Sequence, residues 1–121
     1  MSSAAEEKLG TLKIADDVIA ICTMNATLKT KGVAGLSGAF TDNLSKNIFG
    51  KEPLYKGIKI NQSEDGIGID IYIVVEYGVK IPEVAWDIQE NVKKEVEAMT
   101  EAVVKAVNIH VQGVHFTDEE D

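Results

Sequence analysis

Arginine is missing altogether. The 121-residue chain draws its 12 positive charges from lysine alone, against 20 aspartates and glutamates, for a formal charge of −8. Guanidinium is the side chain whose planar fork grips phosphate and guanine through paired hydrogen bonds, so its absence and the negative balance exclude DNA and weigh against RNA. Cysteine is nearly missing too. Cys22 is the single one, which rules out an intrachain disulfide and suits a reducing, cytoplasmic setting. Long apolar runs are also lacking. The stretch 67–75 is interrupted by Asp70 and is far too short to span a bilayer, so no direct membrane insertion is expected. Residues 1–10 carry Glu6, Glu7 and Lys8 without an apolar core and are not expected to act as a signal peptide.

What is present is ordinary globular material, 45% hydrophobic and 26% charged, at a length that suits one domain. Its charge is polarised. The segment 29–59 holds six lysines (29, 31, 46, 51, 56 and 59) against Asp42 and Glu52, a local +4, which leaves −12 for the rest. Opposite patches of this kind on two copies would attract one another. The acidic end, Asp118-Glu119-Glu120-Asp121, reads as a solvated tail. The expected organisation is a flexible N-terminus over 1–9, a single domain over 10–116 and an acidic tail over 117–121.

Periodicity supplies the elements. Thr11 to Ile14 reads as a short strand. Asp16 and Asp17 then suit the positive end of a helix whose apolar side carries Val18, Ile21, Cys22 and Leu28. Glycines 32, 35 and 38 frame a short irregular strand, and Thr41 or Asp42 caps a short helix bearing Leu44 and Ile48, closed by Gly50. Ile58 and Ile60 open a strand, Ser63 to Gly66 make a turn, and Ile67, Ile69, Ile71, Ile73, Val75 and Tyr77 share one face of a long second strand. Pro82 starts a long helix striped with Ile81, Val84, Ala85, Ile88, Val92, Val96 and Met99. Val103 to Phe116 alternates again. One-sided strands and one-striped helices assemble as an α+β two-layer sandwich, with about four to five mostly antiparallel strands and helices packed on one face.

No catalytic constellation emerges. Cys22 reads as a small hydrophobe with acidic neighbours, a poor setting for a thiolate. Asp70 and Glu76 share the outer face of one strand but stand about 20 Å apart, too far to act on one bond. His110 and His115 fall on opposite faces under strict alternation, whereas a bulge at Gly113 would bring both outward. Two histidines without an organised carboxylate or thiolate set make no metal site. The glycines at 32, 35 and 38 fit neither a P-loop nor a dinucleotide fingerprint. No cofactor is therefore expected. Trp86 lies about 135° from the centre of its helix's apolar stripe at 100° per residue, which predicts an exposed ring suited to a subunit or partner contact. Tyr72 and Val74, on the outer sheet face, are candidates for the same role. The alternative is an RNA-binding or regulatory module that uses the lysine-rich 29–59 segment.

The run Ile69-Asp70-Ile71-Tyr72-Ile73-Val74-Val75-Glu76-Tyr77-Gly78, followed by Ile81-Pro82-Glu83-Val84-Ala85 and Ile88-Gln89-Glu90-Asn91-Val92-Lys93, resembles the signature block of the alkaline shock protein family of Gram-positive bacteria. The closing Val107-Asn108-Ile109-His110-Val111-Gln112-Gly113-Val114 is similar to that family's terminal strand. The opening Gly10 to Ile19 resembles its usual start, and the length resembles its short, housekeeping-type members. Two departures stand out. Met99-Thr100 runs into Glu101-Ala102 where Gly-Leu is common, so the usual glycine does not close the helix, and Asn25 replaces a small apolar residue. The resemblance implies a non-enzymatic cytoplasmic protein of envelope stress response or homeostasis. It implies self-association into a homo-oligomer and, for some members, a membrane-anchored partner of the same family that holds them near the membrane. It brings no catalytic residues, and it adds Asn91 and Lys93 of the signature block to Trp86, Tyr72 and Val74 as candidate interface residues.

Overall fold

Residues 66–76 set isoleucine or valine at every second position, and this segment becomes the strand to which all the others attach. The computed structural model describes residues 10–38 and 57–116. Its elements are helix α1 (Asp16–Leu28), strands β1 (Val33–Leu36), β2 (Ile58–Ser63) and β3 (Gly66–Glu76), helix α2 (Ile81–Thr100) and strand β4 (Val104–His115). The short helix expected over 41–50 lies outside the described residues. One edge of β3 takes β2 against its first half, with Ile58 opposite Ile71, and β1 against its second half, with Leu36 opposite Ile73; both pairings are antiparallel. The other edge takes β4 in parallel, with Ile71 opposite Ile109. A parallel neighbour needs a crossover, and α2 is that crossover.

The inner face of β3 (Ile67, Ile69, Ile71, Ile73 and Val75) is buried beneath both helices, and Val84, Ile88, Val92 and Val96 of α2 complete the core from above. The expected two-layer α+β arrangement is therefore present, with four strands and two helices among the described residues. Pro82 stands in the first turn of α2, where its missing N–H costs nothing. The two-residue turn between β2 and β3 closes at Gly66, whose φ of +135° belongs to glycine. A Cβ there would meet the carbonyl oxygen of Val103 at 2.6 Å.

Three expectations change. Thr11 to Ile14 forms no strand, because the Ile14 carbonyl is held by the Gln62 side chain at 2.9 Å rather than by a ladder partner. Helix α1 turns the other way round: Ile19, Ala20, Thr23, Ala26 and Thr27 are buried, whereas Val18 and Ile21 are 43% and 44% exposed and Leu28 is exposed as well. Mostly small inward side chains let the helix lie close to the layer beneath, and Val18, Ile21 and Leu28 are left outside. In α2, Ile81 and Met99 belong to the predicted stripe but stand exposed at its two ends, and Tyr77 has left the strand for the turn.

The end of α2 is resolved without a glycine. Glu101 takes the left-handed C-cap position itself, at φ 62°, and its N–H bonds the Glu97 carbonyl at 2.8 Å. A side chain in that conformation carries strain of about 1 kcal/mol relative to glycine. Glu101→Gly is therefore expected to stabilise the protein by about 1 kcal/mol in chemical denaturation. The hydroxyls of Thr23 and Thr27 are buried without a hydrogen-bond partner. Thr27→Val, which removes one of them at nearly constant shape, is expected to add about 1 kcal/mol as well, read as a higher denaturation midpoint.

Candidate protein-interaction site

Three surfaces carry side chains that the core does not absorb. The first lies between the helices. Val18, Ile21, Cys22 and Met24 of α1 face Ala98 and Met99 of α2 across an apolar groove of about 560 Å³, with Asn25 and Glu95 as its polar members. At its end the two helices are tied together. Lys29 pairs with Glu95 at 2.7 Å, and Asn91 donates to the Thr30 hydroxyl at 2.9 Å, which in turn donates to the Ala26 carbonyl. Cys22 lines this groove half-buried rather than sitting in the core. Burial pushes its thiol pKa up, and the Glu95 carboxylate adds to the rise against the opposing pull of Lys29. A thiol held protonated in this way is an apolar lining group, not a nucleophile.

The second surface is the sheet face that no described helix covers. The parallel register brings Asp70 beside Asn108 and Tyr72 beside His110. The Asp70 carboxylate lies 3.0 Å from His110 Nε2 and accepts from Asn108 Nδ2 at 3.2 Å. The Tyr72 and His110 rings stack at 4.3 Å, and Lys59 Nζ stands 5.6 Å above the tyrosine ring. Further along, His115 Nδ1 meets Glu76 Oε1 at 3.1 Å. The register of β4 shifts between Val111 and Gly113, so both histidines do face outward, as a bulge at Gly113 requires. What the sequence reading missed is the pairing of each histidine with a carboxylate, since that depends on β4 running parallel to β3. A βαβ-length spacing between the two apolar strands, spanned by one long helix, is the signal that would have found it. Among the described residues no three His, Cys, Asp or Glu gather to hold a metal.

The third surface lies beside β4. Gln89 donates to the Val107 carbonyl at 2.9 Å, Lys93 reaches the Val104 carbonyl at 3.5 Å, and Trp86 on the same side of α2 is 62% exposed. The five residues singled out from sequence are thus dispersed. Tyr72 and Val74 lie on the open sheet face and Trp86 on the stripe of α2 that also carries Gln89, while Asn91 braces α1, and Lys93 pairs with Glu97 within α2 at 2.9 Å and reaches the Val104 carbonyl of β4 at 3.5 Å. The described lysines of the 29–59 segment also separate. Lys29 is paired on the helical layer, and Lys59 stands over Tyr72 on the opposite face of the sheet.

The family model and the similar proteins of known sequence point to one family. The model of the alkaline shock protein family, described by a "cell envelope-related function", matches residues 4–116. The chain is 39% identical over 108 residues to YqhY of Bacillus subtilis, covering 89% of this chain and 79% of that protein. It is 37% identical over 120 residues to YloU of the same organism, covering 98% of this chain and 99% of the other. A Streptococcus pyogenes protein named as a homologue of the stress response regulator gls24 is 29% identical over 102 residues, and the match spans 84% of this chain but only 57% of that one. Among solved structures, variants of MamM-CTD superpose with a TM-score of 0.50 at 13% identity over 82% of this chain and 98% of theirs, which is a likeness of fold.

Two carboxylates tie the strands and helix together, and both titrate below their ordinary range. For Asp70 the main cause is the hydrogen bond from His110. For Glu97 it is the hydrogen bond from the Val104 N–H at 2.8 Å, followed by Lys93. A carboxylate with a lowered folded pKa contributes stability that is complete above its unfolded value and lost as pH falls through the folded one. The melting temperature is therefore expected to hold between pH 7 and about 5 and to drop below about pH 4. Glu97→Gln should lie lower at neutral pH and fall less in acid. A wild-type melting curve flat to pH 3 would contradict this assignment.

Proposed function

This chain belongs to the alkaline shock protein family, whose description is a cell envelope-related function, and on that premise we propose that it is a non-enzymatic scaffolding protein of the envelope stress response or homeostasis. It works by self-association and by docking on an envelope-linked partner, which holds it close to the membrane from the cytoplasmic side. The observation that carries this reading is the two-sided apolarity of α1. Its inner face is buried in the core, yet Val18, Ile21 and Leu28 stand exposed on the other side. A helix apolar all round is normally covered all round. No element among the described residues supplies that cover for Val18, Ile21 and Leu28, and in this reading another protein does.

The groove between α1 and α2 has the form that receives an amphipathic helix, with apolar anchors placed at turn-to-turn spacing. Its occupant is an apolar segment of the envelope-linked partner. The surroundings set the preference for charge: Glu95 stands in the groove, Asp16 and Asp17 begin α1, and the chain carries −8 overall, so a segment flanked by basic residues is favoured. No helix among the described residues is long and apolar enough to cross a membrane, so membrane proximity falls to the partner in this reading.

Ile21→Glu tests the docking. Ile21 is 44% exposed, so the substitution should leave the melting temperature within a degree or two while placing a carboxylate in the groove. Tagged wild-type protein recovered from a native lysate is expected to bring down a membrane-associated protein that Ile21→Glu no longer retains. Equal recovery by both would remove the groove from the function.

A further inference from the structure

Strand β4 pairs with β3 along one edge, and among the described residues nothing pairs with the other. Which backbone groups face that bare edge follows from the contacts made there. The Val107 carbonyl accepts from Gln89 of α2, and the His115 carbonyl, on the opposite side, accepts from Tyr77 at the end of β3. Backbone groups alternate sides along a strand, so Ile109 and Val111 turn their N–H and C=O groups the same way as Val107, away from β3. A bare edge is ordinarily protected by lysine, proline, a β-bulge, inward-pointing charge or brevity. This strand is 12 residues long, and the regular stretch between its two register shifts, Ala106 to Val111, contains no lysine, aspartate, glutamate or proline.

Resting on the self-association reading above, we propose that this edge is where two copies of the chain join, β4 to β4, antiparallel about a twofold axis at Ile109. The strand is self-complementary in that register. Val107 meets Val111 of the second copy, Ile109 meets its own counterpart, and Asn108 meets His110. The first three are on the helix side of the sheet and the last two on the open side, so apolar groups meet apolar groups and polar groups meet polar ones. Val111, 36% exposed, gains cover from this pairing. Trp86 gains it too. At 100° per residue it shares one stripe of α2 with Gln89 and Lys93, whose side chains reach Val107 and Val104. One turn beyond Gln89, the tryptophan overhangs the edge at the level of Ile109 and Val111, in a position to cover the incoming strand. Gln89 occupies one lone pair of the Val107 carbonyl and leaves the second for the partner strand. The joined sheet carries the four described helices, two from each copy, on one face, and the groove between α1 and α2 stays free on each copy, because Glu95 lies about 180° around α2 from Trp86.

Amide hydrogen exchange on the wild-type protein, measured across a concentration series alongside sedimentation, tests this directly. Among the described residues the Ile109 and Val111 amides have no acceptor, so in the monomer they are expected to exchange fast. They should become protected in step with the dimer fraction, while the amides of β3 stay protected throughout. Val111→Lys should weaken dimerisation by about tenfold or more, and at concentrations where both proteins are monomeric its melting temperature should match that of the wild type. If the protein self-associates but Ile109 and Val111 exchange equally fast at every concentration, the edge assignment is overturned and self-association stands on another surface. If the protein sediments as a monomer up to millimolar concentration, both readings fall.

Discussion

Everything in this domain is registered to the inner face of β3. Five β-branched side chains at two-residue spacing, all buried, fix which side of the sheet faces the helices, and every other described strand takes its register from this one. A slip by one residue would turn all five into solvent and bring Asp70, Tyr72 and Glu76 into the core. The helices inherit the constraint. Helix α2 meets it with a stripe of valines and one isoleucine, while α1 meets it with alanine and threonine beside Ile19 and leaves Val18, Ile21 and Leu28 outside. The groove between the helices is thus a consequence of how the core is filled.

That compromise also explains what could and could not be read in the sequence. The β2–β3 hairpin, the stripe of α2 and the extent of β4 were legible because each has a single strong period and matching turn or cap residues. The outward placement of both histidines was legible once a bulge at Gly113 was allowed. Helix α1 was not legible. Its apolar residues fall on both sides, and Val18, Ile21 and Leu28 signal the core more strongly than Thr23 and Thr27, which in fact occupy it. Thr11 to Ile14 has the composition of a strand but finds no edge, since Gln62 takes its carbonyl. Glu101 hides the end of α2 because it adopts a conformation usually given to glycine. The histidine–carboxylate pairs depend on strand direction, which period alone does not encode.

The three surfaces have different chemical characters. The open sheet face satisfies itself, with Asp70 shared between His110 and Asn108 and the Tyr72 ring stacked between partners. The groove and the free edge of β4 do not. One exposes apolar side chains, the other backbone that no strand among the described residues pairs with, and α2 stands between them with Glu95 turned to the first and Trp86 to the second. In the proposed reading these two surfaces, on opposite sides of one helix, serve unlike and like partners respectively. Membership in a family with a cell envelope-related function fits that reading.

The groove is the central claim, and in-cell photo-crosslinking addresses it most directly. A photoreactive residue placed at Ile21, with a second variant labelled at Asn61 on the open sheet face, would be irradiated in living cells and the adducts fractionated. The account predicts an adduct in the membrane fraction from position 21 and none from position 61. Adducts from position 61 alone, or from neither, would contradict it.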